Sequence, residues 1–216
     1  MTAKIIYILA LFMSYDVPPQ YAGFLFDESL RQNVSPFETG AILMAENRSM
    51  RFDPATVGKH NGGGELGLFQ LQPSPWARFC GLKKIDLIDP AHNIQCAVTV
   101  IAHMQDKAGI DRAHTFWIEA IEHHDYDKAF KGMRRKTRTG LDWQTAYRCA
   151  PTARTSENCK LSVNRVLRMH QMLLKAHYAE HDVWWYFRVT VRLPSIALRY
   201  VERPIDITAV EQEASQ

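Results

Sequence analysis

The sequence lacks the signatures of several large classes of protein. It has no P-loop, no dinucleotide-binding fingerprint and no G-x-S-x-G elbow, so nothing supports nucleotide-dependent or α/β-hydrolase chemistry. It has no internal repeat, and 11 Gly and 10 Pro in 216 residues exclude a collagen-like or linker composition. The four cysteines lack the paired C-x-x-C spacing of a zinc site. The net charge of +3 does not point to nucleic acid, although it suits an anionic polymer.

The composition is that of one folded domain with terminal extensions. Hydrophobic residues make up 46% of the chain and charged residues 23%, which excludes a disordered protein. Apolar residues recur at helical spacing, and no convincing strand alternation occurs through residue 180. We therefore predict a mainly α fold. Residues 183–201 are aromatic and β-branched but broken by arginines and Pro194, so residues 181–216 are predicted as a short irregular C-terminal extension of unknown role, containing a strand pair or an amphipathic segment.

Local signals place the helices. Ser35, Pro36 and Glu38 form an apparent capping box that opens a helix running to about Glu46. The pair Asp89-Pro90 opens a second helix with apolar residues at helical spacing. Further helices are predicted over residues 113–121 and 163–174 from the same spacing.

The first 20 residues form a segment of their own. Lys4 precedes the apolar run Ile5 to Met13, and Pro18-Pro19 follows, which is the pattern of a signal peptide. The run is too short to span a bilayer. No small-x-small cleavage site follows it, so an uncleaved anchor and a buried first helix stay open as alternatives.

Glu46 is the candidate catalytic residue. It closes the otherwise apolar helix segment 41–46, and an apolar wall disfavours the charged carboxylate, so its pKa should rise toward the range of a general acid. A solvated carboxylate at a helix end is the competing interpretation.

Three ordered stretches decide between these interpretations. Residues 34–46 (VSPFETGAILMAE) end in Glu46, residues 64–71 (GELGLFQL) contain a G-x-x-G-L-x-Q pattern, and residues 89–94 (DPAHNI) open a helix. Together they resemble the catalytic core of the soluble lytic transglycosylases, the lysozyme-like family that cleaves peptidoglycan. A fainter match is Ala146-Tyr147-Arg148, where the family carries Ala-Tyr-Asn with a tyrosine facing the glutamate. The resemblance covers roughly residues 21–175 and implies a lysozyme-like helical domain over residues 21–180.

The resemblance implies a role for each matched residue. Glu46 would be the catalytic acid and then base, and Asn47, standing where serine is usual, would hydrogen-bond the carboxyl or the substrate. Gly67, Leu68 and Gln70 would present the loop to the sugar, with a purely loop-closing role as the alternative for Gln70. Tyr147 would bond the Glu46 carboxyl; the alternative is an ordinary half-buried tyrosine. Arg148 departs from the family pattern and puts subsite details in doubt.

The implied activity is non-hydrolytic cleavage of the bond between N-acetylmuramic acid and N-acetylglucosamine, giving 1,6-anhydro ends without cofactor or metal. Two alternatives stay open. One is a goose-type lysozyme-like hydrolase using Glu65 or Asp53 as a second acid. The other is a non-catalytic peptidoglycan-binding module of a secretion, conjugation or phage apparatus. The expected partner is peptidoglycan, with no nucleic acid and no membrane span beyond the N-terminal segment.

The cysteines fit this interpretation as loop clamps. Pairing Cys80 with Cys96 and Cys149 with Cys159 would close two loops that border the expected cleft. This is one of three arrangements, and it depends on export to an oxidising compartment, so the location is predicted as periplasmic or secreted. The pair His123-His124, and His177 with His181, have metal-compatible spacing but no recognised third ligand, so no metal is predicted.

Overall fold

A computed structural model describes residues 2–58, 64–111, 147–149 and 154–179. Within these residues the fold is mainly α, as predicted. The α-helices are α1 (Thr2–Ser14), α2 (Pro19–Arg31), α3 (Pro36–Asn47), α4 (Pro73–Phe79), α5 (Pro90–Ala108) and α6 (Glu157–Ala179). Short 3-10 helices cover Arg48–Met50 and Lys84–Ile88. The helix predicted over residues 113–121, the extension 181–216 and the side chains of His123, His124, His177 and His181 lie outside this description.

Helix α3 lies at the centre of the core. Eleven of its 12 residues are buried, and Glu46 is the exception. A helix that is apolar around its circumference has to be enclosed by other elements. Helix α3 packs against α6 on one side and α2 on another.

Buried polar contacts tie α3 to its neighbours. The hydroxyl groups of Ser29 in α2 and Thr39 in α3 lie 2.9 Å apart. The Gln105 side-chain amide in α5 donates to the carboxylate of Glu38. The predicted capping box is therefore wrong, since Ser35 makes no side-chain cap bond and Glu38 bonds α5 instead of the helix start. Pairing a buried carboxylate with a distant amide satisfies a polar group that water cannot reach.

Two of the other three predicted helices are confirmed, the one that starts at Asp89-Pro90 and the one over residues 163–174. Asp89 caps α5 by accepting a bond from the His92 amide at 2.9 Å, and Pro90 is its first residue. Helix α6 buries the apolar stripe expected of it, including Val166, Leu173 and Leu174.

Helix α1 contributes to the same core. Residues 8–12 are buried, and the ring of Phe12 lies over Gly40 of α3, where an added Cβ would stand 2.6 Å from Phe12 Cε1. Just beyond α1, a carboxylate oxygen of Asp16 lies 3.7 Å from the guanidinium of Arg48. Arg48 follows Glu46 by two residues in the chain. Residues 8–12 therefore share one core with α2 and α3, and the separate segment predicted over residues 1–20 stays a prediction.

Among the described residues, no helix has the length and apolar character needed to cross a membrane.

The packing of α1 predicts a large effect for Phe12→Ala. Removing a fully buried phenylalanine ring should lower the free energy of unfolding by about 3–5 kcal/mol, because it would leave a cavity over Gly40. Phe24→Ala in α2 is the matched control, since that ring is 47% exposed and its loss should change stability by about 0.5 kcal/mol or less. Urea unfolding followed by circular dichroism measures both. Equal effects would show that α1 does not pack into the core.

Candidate active site

The candidate site is built around Glu46 at the end of α3. Its side chain is 20% exposed, so most of it is enclosed by protein. Arg148 Nη1 forms an ion pair with Glu46 Oε1. Tyr147 is near enough for its hydroxyl to respond to the charge of Glu46. Together with Asn47, these residues form what we call the Glu46 site.

Burial and charge act in opposite directions on Glu46. Burial raises the pKa of its carboxyl above the ordinary value, because the charged form loses hydration. The Arg148 guanidinium acts against that rise, and Arg165 of α6 does so more weakly. The net pKa stays raised, in the direction predicted from the apolar helix.

Tyr147 is half-buried and does not make the predicted hydrogen bond to the Glu46 carboxyl. Burial raises the pKa of its phenol, and the negative charge of Glu46 raises it further, so the hydroxyl keeps its proton. The hydroxyl oxygen is buried and has no hydrogen-bond partner among the described residues. The Asn47 Oδ1 atom is also buried and also has no hydrogen-bond partner among the described residues. Both atoms are enclosed by protein, so neither is open to a ligand in this conformation.

The loop of residues 64–71, which we call the Gly67 loop, lies against the start of α5. Gly67 has φ of +73°, and an added Cβ would lie 2.7 Å from Asn93 Cγ, which no real side chain tolerates. Asn93 is fully buried and holds the loop by accepting from the Phe69 amide at 2.8 Å and donating to the Leu66 carbonyl at 3.0 Å. The motif around Asn93 was seen in the sequence, but its role as the loop's anchor was not predicted.

The Gly67 carbonyl joins the loop to the Glu46 site. It accepts from Gln70 Nε2 at 2.7 Å and from Asn47 Nδ2 at 3.4 Å. Gln70 Nε2 also donates to the Thr56 carbonyl at 3.3 Å. These bonds give Gln70 the loop-closing role that was the alternative in the sequence analysis, and contact of Gln70 with a substrate stays a prediction. The bond to the Gly67 carbonyl fixes the position of the Asn47 side chain next to Glu46.

Leu68 requires a correction. Its side chain is fully buried in the core, because the turn at Gly67 directs it inward. A substrate therefore cannot reach the Leu68 side chain, and any contact at this position would involve the main chain.

The two candidates for a second acid are Asp53, which precedes the Gly67 loop, and Glu65, which lies within it. Asp53 is exposed and accepts from the Ala55 amide at 2.9 Å. The Glu65 carboxylate lies against Gly58, where an added Cβ would stand 2.5 Å from Glu65 Oε2.

The chain bends sharply straight after Glu46 and Asn47. A 3-10 turn over Arg48–Met50 is followed by Arg51 and Phe52 at φ of 55° and 56°. Two successive non-glycine residues in the left-handed region cost roughly 1–3 kcal/mol each. This bend returns Phe52 to the core and turns Asn47 toward the Gly67 loop.

Both disulfides have the predicted pairing. Cys80 joins Cys96 with a Cα–Cα distance of 5.5 Å, and Cys149 joins Cys159 with 5.9 Å. The second bond attaches the segment 147–149, and with it Tyr147, to the start of α6.

No group of three or more His, Cys, Asp or Glu side chains in the described part of the chain is arranged to hold a metal ion. No family model, no curated protein and no solved structure matches the chain. The resemblance to the lytic transglycosylases therefore rests on the motifs alone.

Gly67→Ala tests the close approach in the Gly67 loop. Gly109 has nearly the same φ, +70°, but an added Cβ there meets nothing within 4 Å. Gly109→Ala should therefore carry only the backbone cost, about 1–2 kcal/mol. Gly67→Ala should lose about 1–3 kcal/mol more, because it overpacks against Asn93. Chemical denaturation of the two variants gives the difference, and similar losses would contradict the packing at Gly67.

Removing the disulfides one at a time tests their separate roles. Replacing either pair by serines should lower the free energy of unfolding by about 3 kcal/mol, because the unfolded chain gains entropy. Loss of Cys149–Cys159 should in addition speed amide hydrogen exchange at residues 147–149, whereas loss of Cys80–Cys96 should leave that segment unchanged. Hydrogen exchange read by mass spectrometry distinguishes the two outcomes. Equal exchange at 147–149 in both variants would mean that Ser162 and Arg148 alone hold the segment.

Proposed function

We propose that this protein is a peptidoglycan lytic transglycosylase that uses Glu46 as its catalytic acid and base. The observation that carries the proposal is the position of Glu46: the one residue of a buried helix that reaches solvent is a carboxyl with a raised pKa, flanked by Tyr147 and Asn47. Such a group keeps its proton to higher pH than a solvated glutamate does and can give it to a leaving oxygen.

In the proposed reaction, protonated Glu46 donates its proton to the oxygen of the bond between N-acetylmuramic acid and N-acetylglucosamine. That bond breaks, and the acetamido oxygen of the muramic acid stabilises the cationic carbon. Glu46, now a carboxylate, removes the proton from the 6-hydroxyl of the same sugar, and the 6-oxygen closes on the carbon. The product is a 1,6-anhydro sugar, no water is consumed, and Glu46 regains its proton.

The residues around Glu46 have supporting roles in this scheme. The Tyr147 hydroxyl keeps its proton, and in the proposed reaction it turns to donate to the carboxylate that forms. Asn47 is fully buried and donates to the Gly67 carbonyl, so its proposed role is to hold the Gly67 loop beside Glu46.

We also propose that the protein works outside the cytoplasm, in the periplasm or after secretion. Two disulfides support this location, because such bonds persist in oxidising compartments and are rare in the cytosol. Peptidoglycan strands are the proposed partner. A secretion, conjugation or phage apparatus that has to open the wall is the proposed setting.

Glu46→Gln tests the proposed function. The amide keeps the shape of the side chain but cannot donate and recover a proton, so cleavage of purified peptidoglycan should fall by about 10²–10⁴-fold. Glu28→Gln is the matched control, because Glu28 is a carboxylate paired with Arg31 on α2. Mass spectrometry of the muropeptides should find 1,6-anhydro ends, each lighter by one water than a reducing end. Full cleavage by the Glu46 variant would refute the proposal.

The pH dependence follows from the same carboxyl. The acid step needs protonated Glu46, and this form is lost as the pH rises through the pKa of the carboxyl. Because burial raises that pKa, the alkaline decline in kcat should lie at higher pH than a solvated glutamate would give. Initial rates across a pH series measure the decline, and a rate that grows through this range would contradict an acid role for Glu46.

One observation favours a second candidate, a non-catalytic wall-binding module. The ion pair with Arg148 stabilises Glu46 as a carboxylate, which suits hydrogen-bond acceptance more than proton donation. Tight binding of chitooligosaccharides with no cleavage of peptidoglycan by the wild type would establish this function instead. Incorporation of heavy-oxygen water into the products would indicate a hydrolase.

A further inference from the structure

Arg148 makes several polar contacts at the Glu46 site, and none of them was predicted from the sequence. Its guanidinium uses Nη1 for Glu46, and Nε and Nη2 for Ser162 Oγ at 2.8 and 2.6 Å. The side chain is 6% exposed, so these contacts are almost entirely shielded from water. A planar guanidinium with several fixed donors holds its partners in a defined direction, which a lysine would not.

Arg148 is tied to helix α6 by a hydrogen-bonded side chain and by a disulfide next to it in the chain. Ser162 belongs to α6, and the neighbouring Cys149 is bonded to Cys159 of the same helix. Three residues beyond Ser162, Arg165 Nη1 donates to the Ala45 carbonyl at 3.5 Å. The end of α3 is thereby held at two points, at the main chain before Glu46 by Arg165 of α6 and at the carboxylate by Arg148, which α6 holds through Ser162.

Three ionisable groups of the described residues face Glu46. They are Arg148 and Tyr147 from the segment 147–149 and Arg165 from α6. Arg148 exerts the larger influence of the two arginines and is in direct contact with the carboxylate. Burial favours the protonated acid, and Arg148 favours the carboxylate. A group that must give up a proton and then take one back needs both forms to be accessible.

We propose that Arg148 is the positioning residue of the Glu46 site: held by Ser162, it fixes the orientation and the charge state of the Glu46 carboxyl group. The part of this proposal that concerns catalysis rests on the proposed function. Arg148 stands where the resembled family has a neutral asparagine, so the property belongs to this chain. In the reaction, Arg148 stabilises the carboxylate left after proton donation, which makes Glu46 a stronger acid than burial alone would allow.

Four variants test the proposal. Arg148→Gln removes the positive charge. Arg148→Lys keeps the charge but loses the planar guanidinium with its several donors. Ser162→Ala removes the hydroxyl that holds the guanidinium and changes no charge. Arg31→Gln is the matched control, because it breaks an arginine–glutamate pair on α2. Carbon-13 NMR titration of the Glu46 carboxyl, assigned by its loss in Glu46→Gln, gives a readout that needs no turnover.

The expected titrations have a definite order. Glu46 should titrate at higher pH in Arg148→Gln than in the wild type, with Ser162→Ala between them. Arg148→Lys should lie nearer the wild type than Arg148→Gln does, and Arg31→Gln should coincide with the wild type. An unchanged titration in a folded Arg148→Gln protein overturns the proposal. If that variant does not fold, an unchanged titration in Ser162→Ala overturns it.

The catalytic part is tested by kcat and KM. In Arg148→Gln, kcat should fall about 10- to 100-fold through lost orientation and weaker acidity, with KM little changed. The alkaline decline of kcat should move to higher pH, and Arg148→Lys should restore its position but only part of kcat. A change confined to KM would overturn the positioning role. If the wild type has no turnover, the proposed function fails while the NMR titration still decides the role of Arg148.

Discussion

The enclosure of α3 is the constraint on which the rest of the structure depends. A helix buried along its whole length can present a functional group only at an end, and Glu46 is that group. The apolar packing that stabilises the helix also removes water from most of the carboxyl. Core packing and the acid–base properties of Glu46 are therefore two consequences of one arrangement.

Enclosure creates an electrostatic problem that Arg148 addresses. An isolated carboxylate in an apolar environment is unstable and would stay protonated, which makes a poor acid. A buried ion pair is not a reliable source of stability, because both ions lose hydration. The ion pair instead orients the Glu46 carboxylate and balances its negative charge. Ser162 holds the guanidinium, and the guanidinium holds the carboxylate. The Cys149–Cys159 disulfide is a further link between α6 and the segment 147–149.

Local interactions were predictable from the sequence and long-range ones were not. The start of α5 was predicted correctly because Asp89 and Pro90 act on the adjacent backbone. The capping box on α3 failed because Glu38 instead accepts from Gln105, which is 67 positions away. The partner of Arg148 was missed for the same reason, since it lies about a hundred residues earlier. A charged residue replacing a neutral one beside Tyr147 was the signal that could have indicated it.

The distribution of hydrogen bonds shows which groups of the site are committed to the fold. The Gly67 carbonyl accepts from Asn47 and Gln70, and the Asn93 amide is used on both its oxygen and its nitrogen. These residues define the shape of the Gly67 loop and have little left to offer a ligand. Asn47 Oδ1 and the Tyr147 hydroxyl differ, since both are buried and without partners in the described chain. Leaving such groups unbonded costs about 1–3 kcal/mol each. The fold therefore tolerates one unbonded acceptor and one unbonded donor close to Glu46, the residue of α3 that is not buried.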